Sequence, residues 1–155
     1  MLKKILLLCS TVLLLTACDF SLATKAKKRI IGTTWLGEIT DYLPHYSYEI
    51  SFTKDGYTLK YHKDAVNTVD VDHDAEDITI ENTWSYLGSI SKTWTGDWNA
   101  RHSVTYHVVK IEEHPIYHAG AYICYELKSN VAYMEQYQPL SVDDMKYYTR
   151  LVLQK

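Results

Sequence analysis

The sequence predicts an all-β domain: a small antiparallel barrel of about eight strands, with a β-sandwich as the alternative. Three observations predict it. Tyrosine is the dominant bulky residue, 14 of 155, and with valine, isoleucine and threonine it favours pleated, half-buried surfaces. Short segments of alternating polarity recur along the chain, separated by turn residues. Pro44, Pro115 and Pro139 fall between those segments, where no ladder bond is lost.

The elements follow in order. A first strand is expected around Thr34-Trp35-Leu36-Gly37. From Tyr46 to Thr53 the alternation is strict, with Tyr46, Tyr48, Ile50 and Phe52 on one face and Ser47, Glu49, Ser51 and Thr53 on the other. Lys54-Asp55-Gly56 supplies a turn, and Tyr57 to His62 returns with Tyr57, Leu59 and Tyr61 inward. Ile78–Glu81 and Thr83–Tyr86 are short strands around Asn82. Ser103–Glu112, Ala121–Lys128, Val131–Tyr137 and Lys146–Leu153 complete the set. The one helical signal lies between Pro139 and Met145, where Ser141 can cap a single turn against Asp143 and Asp144.

The N-terminus has a different character. Lys3 and Lys4 precede an apolar run, Ile5 to Leu15, that is short for a bilayer span and ends in Leu15-Thr16-Ala17-Cys18. This layout resembles a bacterial lipoprotein signal peptide with its lipobox. The resemblance implies cleavage after residue 17 and a diacylglyceryl thioether on Cys18, with a palmitate-like N-acyl chain. Two or three acyl chains, at about 0.8 kcal/mol per buried methylene, hold a protein on a membrane. In enterobacterial lipoproteins, an aspartate at the position of Asp19 implies retention at the inner membrane, facing the periplasm. Three regions result: a signal peptide (1–17), a lipidated N-terminus with a basic tether (18–29) and one barrel domain (30–155). The cluster Lys25-Ala26-Lys27-Lys28-Arg29 reads either as attraction to anionic head groups or as a solvated tether.

Charge and cysteine use narrow the function classes. Six basic residues against one acid lie before residue 30, so the remainder carries a formal charge of about −8 where the whole chain carries −3. Such a surface argues against nucleic acid as a partner. Once Cys9 leaves with the signal and Cys18 is lipidated, Cys124 has no disulfide partner, and its strand-like surroundings make it a small buried hydrophobe.

Gly32-Thr33-Thr34-Trp35 near the start and Arg150 on the last strand resemble the Gly-x-Trp and closing basic residue of lipocalin-like (calycin) barrels. Here two residues, not one, separate the glycine and the tryptophan. The resemblance implies that first and last strands pair, that Arg150 lies over Trp35, and that an interior cavity takes a small apolar ligand.

Chemical constellations are few. Asp70, Asp72, Asp74 and Glu81 fall at positions 1, 3, 5 and 12 of a calcium-loop pattern, but Ala75 stands where the sharp turn needs glycine and the flanks read as strands. A solvated acidic loop, or a docking surface for a basic partner, competes with calcium there. The histidines lack cysteine partners or a third ligand at zinc spacing, so no metal ligand set is assigned. Enzyme signatures and cofactor motifs are absent from the sequence, and Glu112, Glu113 and His114 are adjacent residues that point apart. The segment from Trp84 to Trp98 gathers three of the four tryptophans among serine, threonine and glycine, and reads as a polar loop. Trp94 and Trp98 become contact residues if exposed, whereas tryptophans filling the barrel are the competing reading. The sequence thus predicts a non-enzymatic, membrane-anchored binding module for a small apolar ligand. The alternative is a protein-interaction role at the envelope, as an inhibitor, immunity protein or assembly accessory.

Overall fold

The computed structural model describes residues 21–39, 45–67, 72–96, 98, 100–145 and 148–154. Nine strands form one antiparallel sheet, curled into a half-barrel. In chain order its strands are β1 (Thr34–Ile39), β2 (Tyr46–Phe52), β3 (Tyr57–Lys63), β6 (Glu76–Asn82), β7 (Trp84–Thr95), β8 (Arg101–Ile111), β9 (Ala121–Tyr125), β10 (Val131–Glu135) and β11 (Tyr148–Leu153). A two-stranded side ribbon, β4 (Val66–Asn67) with β5 (Asp72–His73), interrupts the run.

The spatial order β6-β3-β2-β1-β11-β10-β9-β8-β7 is a meander joined through its two ends. The first strand pairs with the last, Trp35 opposite Leu153 and Gly37 opposite Leu151. The edges of the sheet are β6 and β7, consecutive strands that turn away from each other at Thr83 instead of pairing. Hydrogen bonds cross that corner: Trp84 Nε1 donates to the Thr53 carbonyl at 3.0 Å, the Tyr57 hydroxyl donates to the Glu113 carbonyl at 2.6 Å and accepts the Glu113 N–H at 3.0 Å, and Asn82 Nδ2 donates to the Glu113 carboxylate at 3.1 Å.

The period-2 reading of β2 and β3 holds residue by residue. Tyr48, Ile50 and Phe52 are buried, as are Tyr57, Leu59 and Tyr61, in the register Ile50 opposite Leu59. They meet Trp35, Val109, Ile111, Ile123, Tyr125, Met134 and Leu151 in one cluster that fills the concave side of the sheet. The interior is therefore packed side chain, with tyrosine rings supplying much of its volume.

Two expectations are corrected here. Residues 21–30 form a helix, α1, where a tether was expected. Its alanines, lysines and leucine are good helix formers, and Ala26 and Ile30 are fully buried. The Tyr125 hydroxyl donates to the Ala26 carbonyl at 2.9 Å. Gly32, at φ +76°, ends the helix in the left-handed conformation that glycine adopts without penalty. Its N–H then bonds the Phe52 carbonyl at 2.7 Å, delivering the chain into β1.

The second correction concerns the cation on Trp35. The expected Arg150 is exposed and pairs across the sheet with Tyr133. Arg29 takes that place instead, with its guanidinium carbon 5.8 Å from the Trp35 ring centre. Arg29 Nε and Nη2 also donate to the carbonyls of Leu127 and Ser129, at 3.0 and 2.8 Å. The physical reason is directional. Trp35 faces the core, whereas Arg150 alternates with the buried Leu151 and must point outward. Arg29, in the last turn of α1, is placed to reach the indole.

Candidate functional site

The segment 84–95 is not a loop. It is the 12-residue strand β7, paired along its length with β8 from Trp84–Ile111 to Thr95–Arg101. A bulge shifts the register between Tyr86 and Gly88, and Gly88 adopts φ +120°. Before the bulge, Trp84 and Tyr86 pack against the core; beyond it β7 is exposed from Ser91 outward, while β8 stays buried to His107, half-buried to Val104 and exposed only at Arg101–Ser103. The arm thus runs out past the sheet, held by a Ser91–Thr105 side-chain hydrogen bond of 2.8 Å and by a Lys92–Asp143 ion pair. Asp143 belongs to the 3-10 turn Val142–Asp144, the one helical turn the sequence predicted near its C-terminus. There the Ser141 N–H and hydroxyl both donate to the Asp144 carboxylate.

At the tip, Trp94 stacks on His102 with ring centres 5.5 Å apart. Gly96 makes room for that imidazole, because a Cβ there would lie 2.7 Å from His102 Nε2. The Gly96 N–H bonds the Ala100 carbonyl at 2.8 Å and closes the turn. Trp94 is 46% exposed and Trp98 is 99% exposed. Trp98 also has φ +62°, a left-handed conformation that costs a bulky side chain about 1–2 kcal/mol. Of the three tryptophans in this segment, one packs against the barrel and two are presented to solvent. The signal for a strand was present in the sequence as Ser89, Ser91, Thr93 and Thr95 alternating with Ile90, Lys92 and Trp94. The bulge at Leu87 broke its phase with the preceding residues.

The acidic stretch behaves differently. Asp70 lies outside the described residues; Asp72 belongs to β5, and Asp74 is exposed. Residues 72–73 and 76–82 are strands, so the continuous coil of a calcium loop is not formed. Glu76 faces Lys63 at 3.5 Å, and Asp77 meets His62 Nδ1 at 2.7 Å while Asp64 takes His62 Nε2 at 3.0 Å. Those two carboxylates raise the affinity of the exposed His62 for its proton. Part of the acidic surface is therefore matched by basic groups of β3.

A second polar cluster, which sequence reasoning missed, is built by the loop from 112 to 120. His114 is buried between Tyr117, with ring centres 4.4 Å apart, and Tyr48, at 5.5 Å. His114 Nδ1 accepts the N–H groups of Ile116 and Tyr117, both at 3.2 Å, which places the ring proton on Nε2. Burial lowers its pKa to about 4. Glu135, at the end of β10, is also buried. Burial and the neighbouring Asp144 push its pKa up to about 7. Tyr48 Oη, His114 Nε2 and Glu135 Oε1 find no hydrogen-bond partner among the described residues. Proximity of these groups is a product of the tertiary fold, since they come from β2, a loop and β10. Cys124 is fully buried with its thiol pushed up to about 12, which fits the small hydrophobe read from the sequence.

No group of three metal-ligating side chains gathers among the described residues. The clefts at the surface are shallow. One of about 380 Å³ lies along β1, β2, β3 and β6, and one of about 670 Å³ lies between α1 and the start of β7. No family model, curated protein or solved structure matches the chain.

Proposed function

We propose that this protein is an envelope-tethered interaction module that grips a protein partner with the tip of its β7–β8 hairpin. The observation that supports it most is Trp98. Core packing does not account for a side chain 99% exposed, and local backbone preference opposes a tryptophan at φ +62°. Strain of that kind, kept where it contributes nothing to the core, is characteristic of binding sites. Trp94, stiffened by its stack on His102, adds a second rigid aromatic anchor. The ion pair of Lys92 with Asp143 connects the arm to the 3-10 turn. A small apolar ligand inside the barrel is less favoured, because aromatic and aliphatic side chains occupy the concave side of the sheet.

Attachment to the membrane through Cys18 and its acyl chains belongs to the same proposal; Cys18 precedes the described residues. With α1 packed on the barrel through Ala26 and Ile30, the anchor joins the domain through this helix. Metabolic labelling with an alkynyl fatty acid tests this part, since Cys18→Ser must abolish the label. The interaction itself is tested by placing a photo-crosslinking amino acid at position 94 or 98 in the producing cell. A discrete adduct from these positions, absent from a control at the exposed Lys60, is the expected result, and adding Trp98→Gly should abolish the adduct from position 94. Equal adducts from the tip and the control position would refute the assignment.

A further inference from the structure

A separate cleft of about 240 Å³ opens beside the loop 112–120 and the segment that follows β10, lined chiefly by Tyr117, Glu135, Gln136, Tyr137 and Asp144. Its chemistry is one-sided. Two carboxylates and two phenol rings face a small space, and no lysine, arginine or histidine lines it among the described residues. Glu135 is only 5% exposed, yet its Oε1 accepts no hydrogen bond there. Buried carboxylate oxygens in folded proteins almost always have a donor, so Glu135 Oε1 leaves an acceptor open beside the cleft for a water, an ion or a ligand to fill. Asp144 cannot supply a donor: its Oδ2 is already the acceptor for Ser141.

We propose that this cleft binds a primary alkylammonium ion, with the ammonium donating to Glu135 Oε1 and its alkyl stem lying against Tyr117 and Tyr137. The size fits, since 240 Å³ falls below the ~300 Å³ at which pockets for drug-sized molecules begin and suits one short amine. The donor count also fits. A quaternary ammonium would satisfy the rings but leave Oε1 unpaired, and a guanidinium brings five N–H donors where one carboxylate oxygen lacks a partner. A hard divalent cation needs about six oxygens; it would have to take every carboxylate and amide oxygen of Glu135, Asp144, Gln136 and Gln138, including the Asp144 Oδ2 that Ser141 already holds. The amine belongs either to a free small molecule or to a lysyl side chain of a peptide.

Binding is expected to expel a proton. Glu135 holds its proton up to about pH 7 because it is buried and because Asp144 from the 3-10 turn faces it; Tyr117 from the loop and Cys124 from β9 are the other titratable groups against it. An ammonium favours the carboxylate, so affinity rises with pH through 7 and protons are released into the buffer.

Titration calorimetry of the full chain in detergent micelles with n-butylammonium chloride, in two buffers of different ionisation enthalpy, tests the proposal. Saturable binding with proton release is expected. Glu135→Gln should bind at least about tenfold more weakly, because a charge-assisted hydrogen bond is lost without loss of shape. Tyr137→Ala, at a side chain already largely exposed, should weaken binding severalfold. Tetramethylammonium should bind the wild type no better than n-butylammonium binds Glu135→Gln. Nα-acetyl-lysinamide that binds as well as n-butylammonium identifies a lysyl side chain as the source; its exclusion identifies a free amine. Wild-type protein that does not saturate, or Glu135→Gln that binds equally well, overturns the proposal. Trp98→Gly should leave amine binding unchanged, so this inference and the hairpin-tip reading fail or survive separately.

Discussion

Arg29→Met separates α1 as part of the folded domain from α1 as a tether. The substitution keeps an unbranched apolar stem and removes the guanidinium. Two charge-assisted hydrogen bonds to the Leu127 and Ser129 carbonyls disappear, together with the contact to Trp35. Hydrogen bonds to charged groups contribute about 1.5–3 kcal/mol each. Arg29 is half-buried, so the lower end applies, and the cation–π contact adds about 0.5 kcal/mol. The expected loss is about 3.5 kcal/mol. For a domain of this size that lowers Tm by roughly 9–15 °C, measured by thermal unfolding followed by circular dichroism. Arg150→Met removes an exposed charge of the same kind and should change stability by less than about 0.5 kcal/mol. Equal shifts for the two variants, or a shift below about 0.5 kcal/mol for Arg29→Met, would refute the docking of α1 on the barrel.

Three further outcomes follow from particular residues. Gly120→Ala places a Cβ 2.1 Å from the Ile111 carbonyl oxygen at φ +80°, and should cost at least about 2 kcal/mol in urea denaturation. His114 has a pKa lowered to about 4 against ~6.5 in the unfolded chain, so the unfolded state binds more protons between those values; stability should be intact above about pH 6.5 and fall by up to about 3 kcal/mol as pH drops to 4, and His114→Gln should flatten that slope. Glu135 has the opposite sign. Its raised pKa means that the protonated form stabilises the fold below the unfolded value, and that this contribution is lost as pH rises through about 7. The Tm of Glu135→Gln relative to wild type should therefore rise between pH 5 and pH 8, and an unchanged difference would contradict the burial of this carboxylate.

The sequence by itself determined most of the strands and, for β2 and β3, which face is buried. That information is local: alternation fixes the side-chain direction of each residue relative to its neighbours, and one register satisfies both faces of a half-buried strand. It also determined the Ser141–Asp144 turn and the burial of Cys124, for equally local reasons. Leu22, Ala26 and Ile30 carry a helical period within the lysine-rich segment, but three apolar positions do not show which of them a surface covers: Ala26 and Ile30 are buried and Leu22 is exposed. Only the tertiary structure decided that. Trp35 pairs with Arg29 and not Arg150 because the fold places the last turn of α1 within reach of the indole. The Trp94–Trp98 region became an arm because β8 offers a longer partner strand than the barrel needs. The cluster of Tyr48, His114, Tyr117 and Glu135 was illegible in one dimension, since its members are contributed by three separate parts of the chain. Local polarity patterns record what each strand does with its own faces; only the folding of the sheet brings residues distant in sequence to the same site.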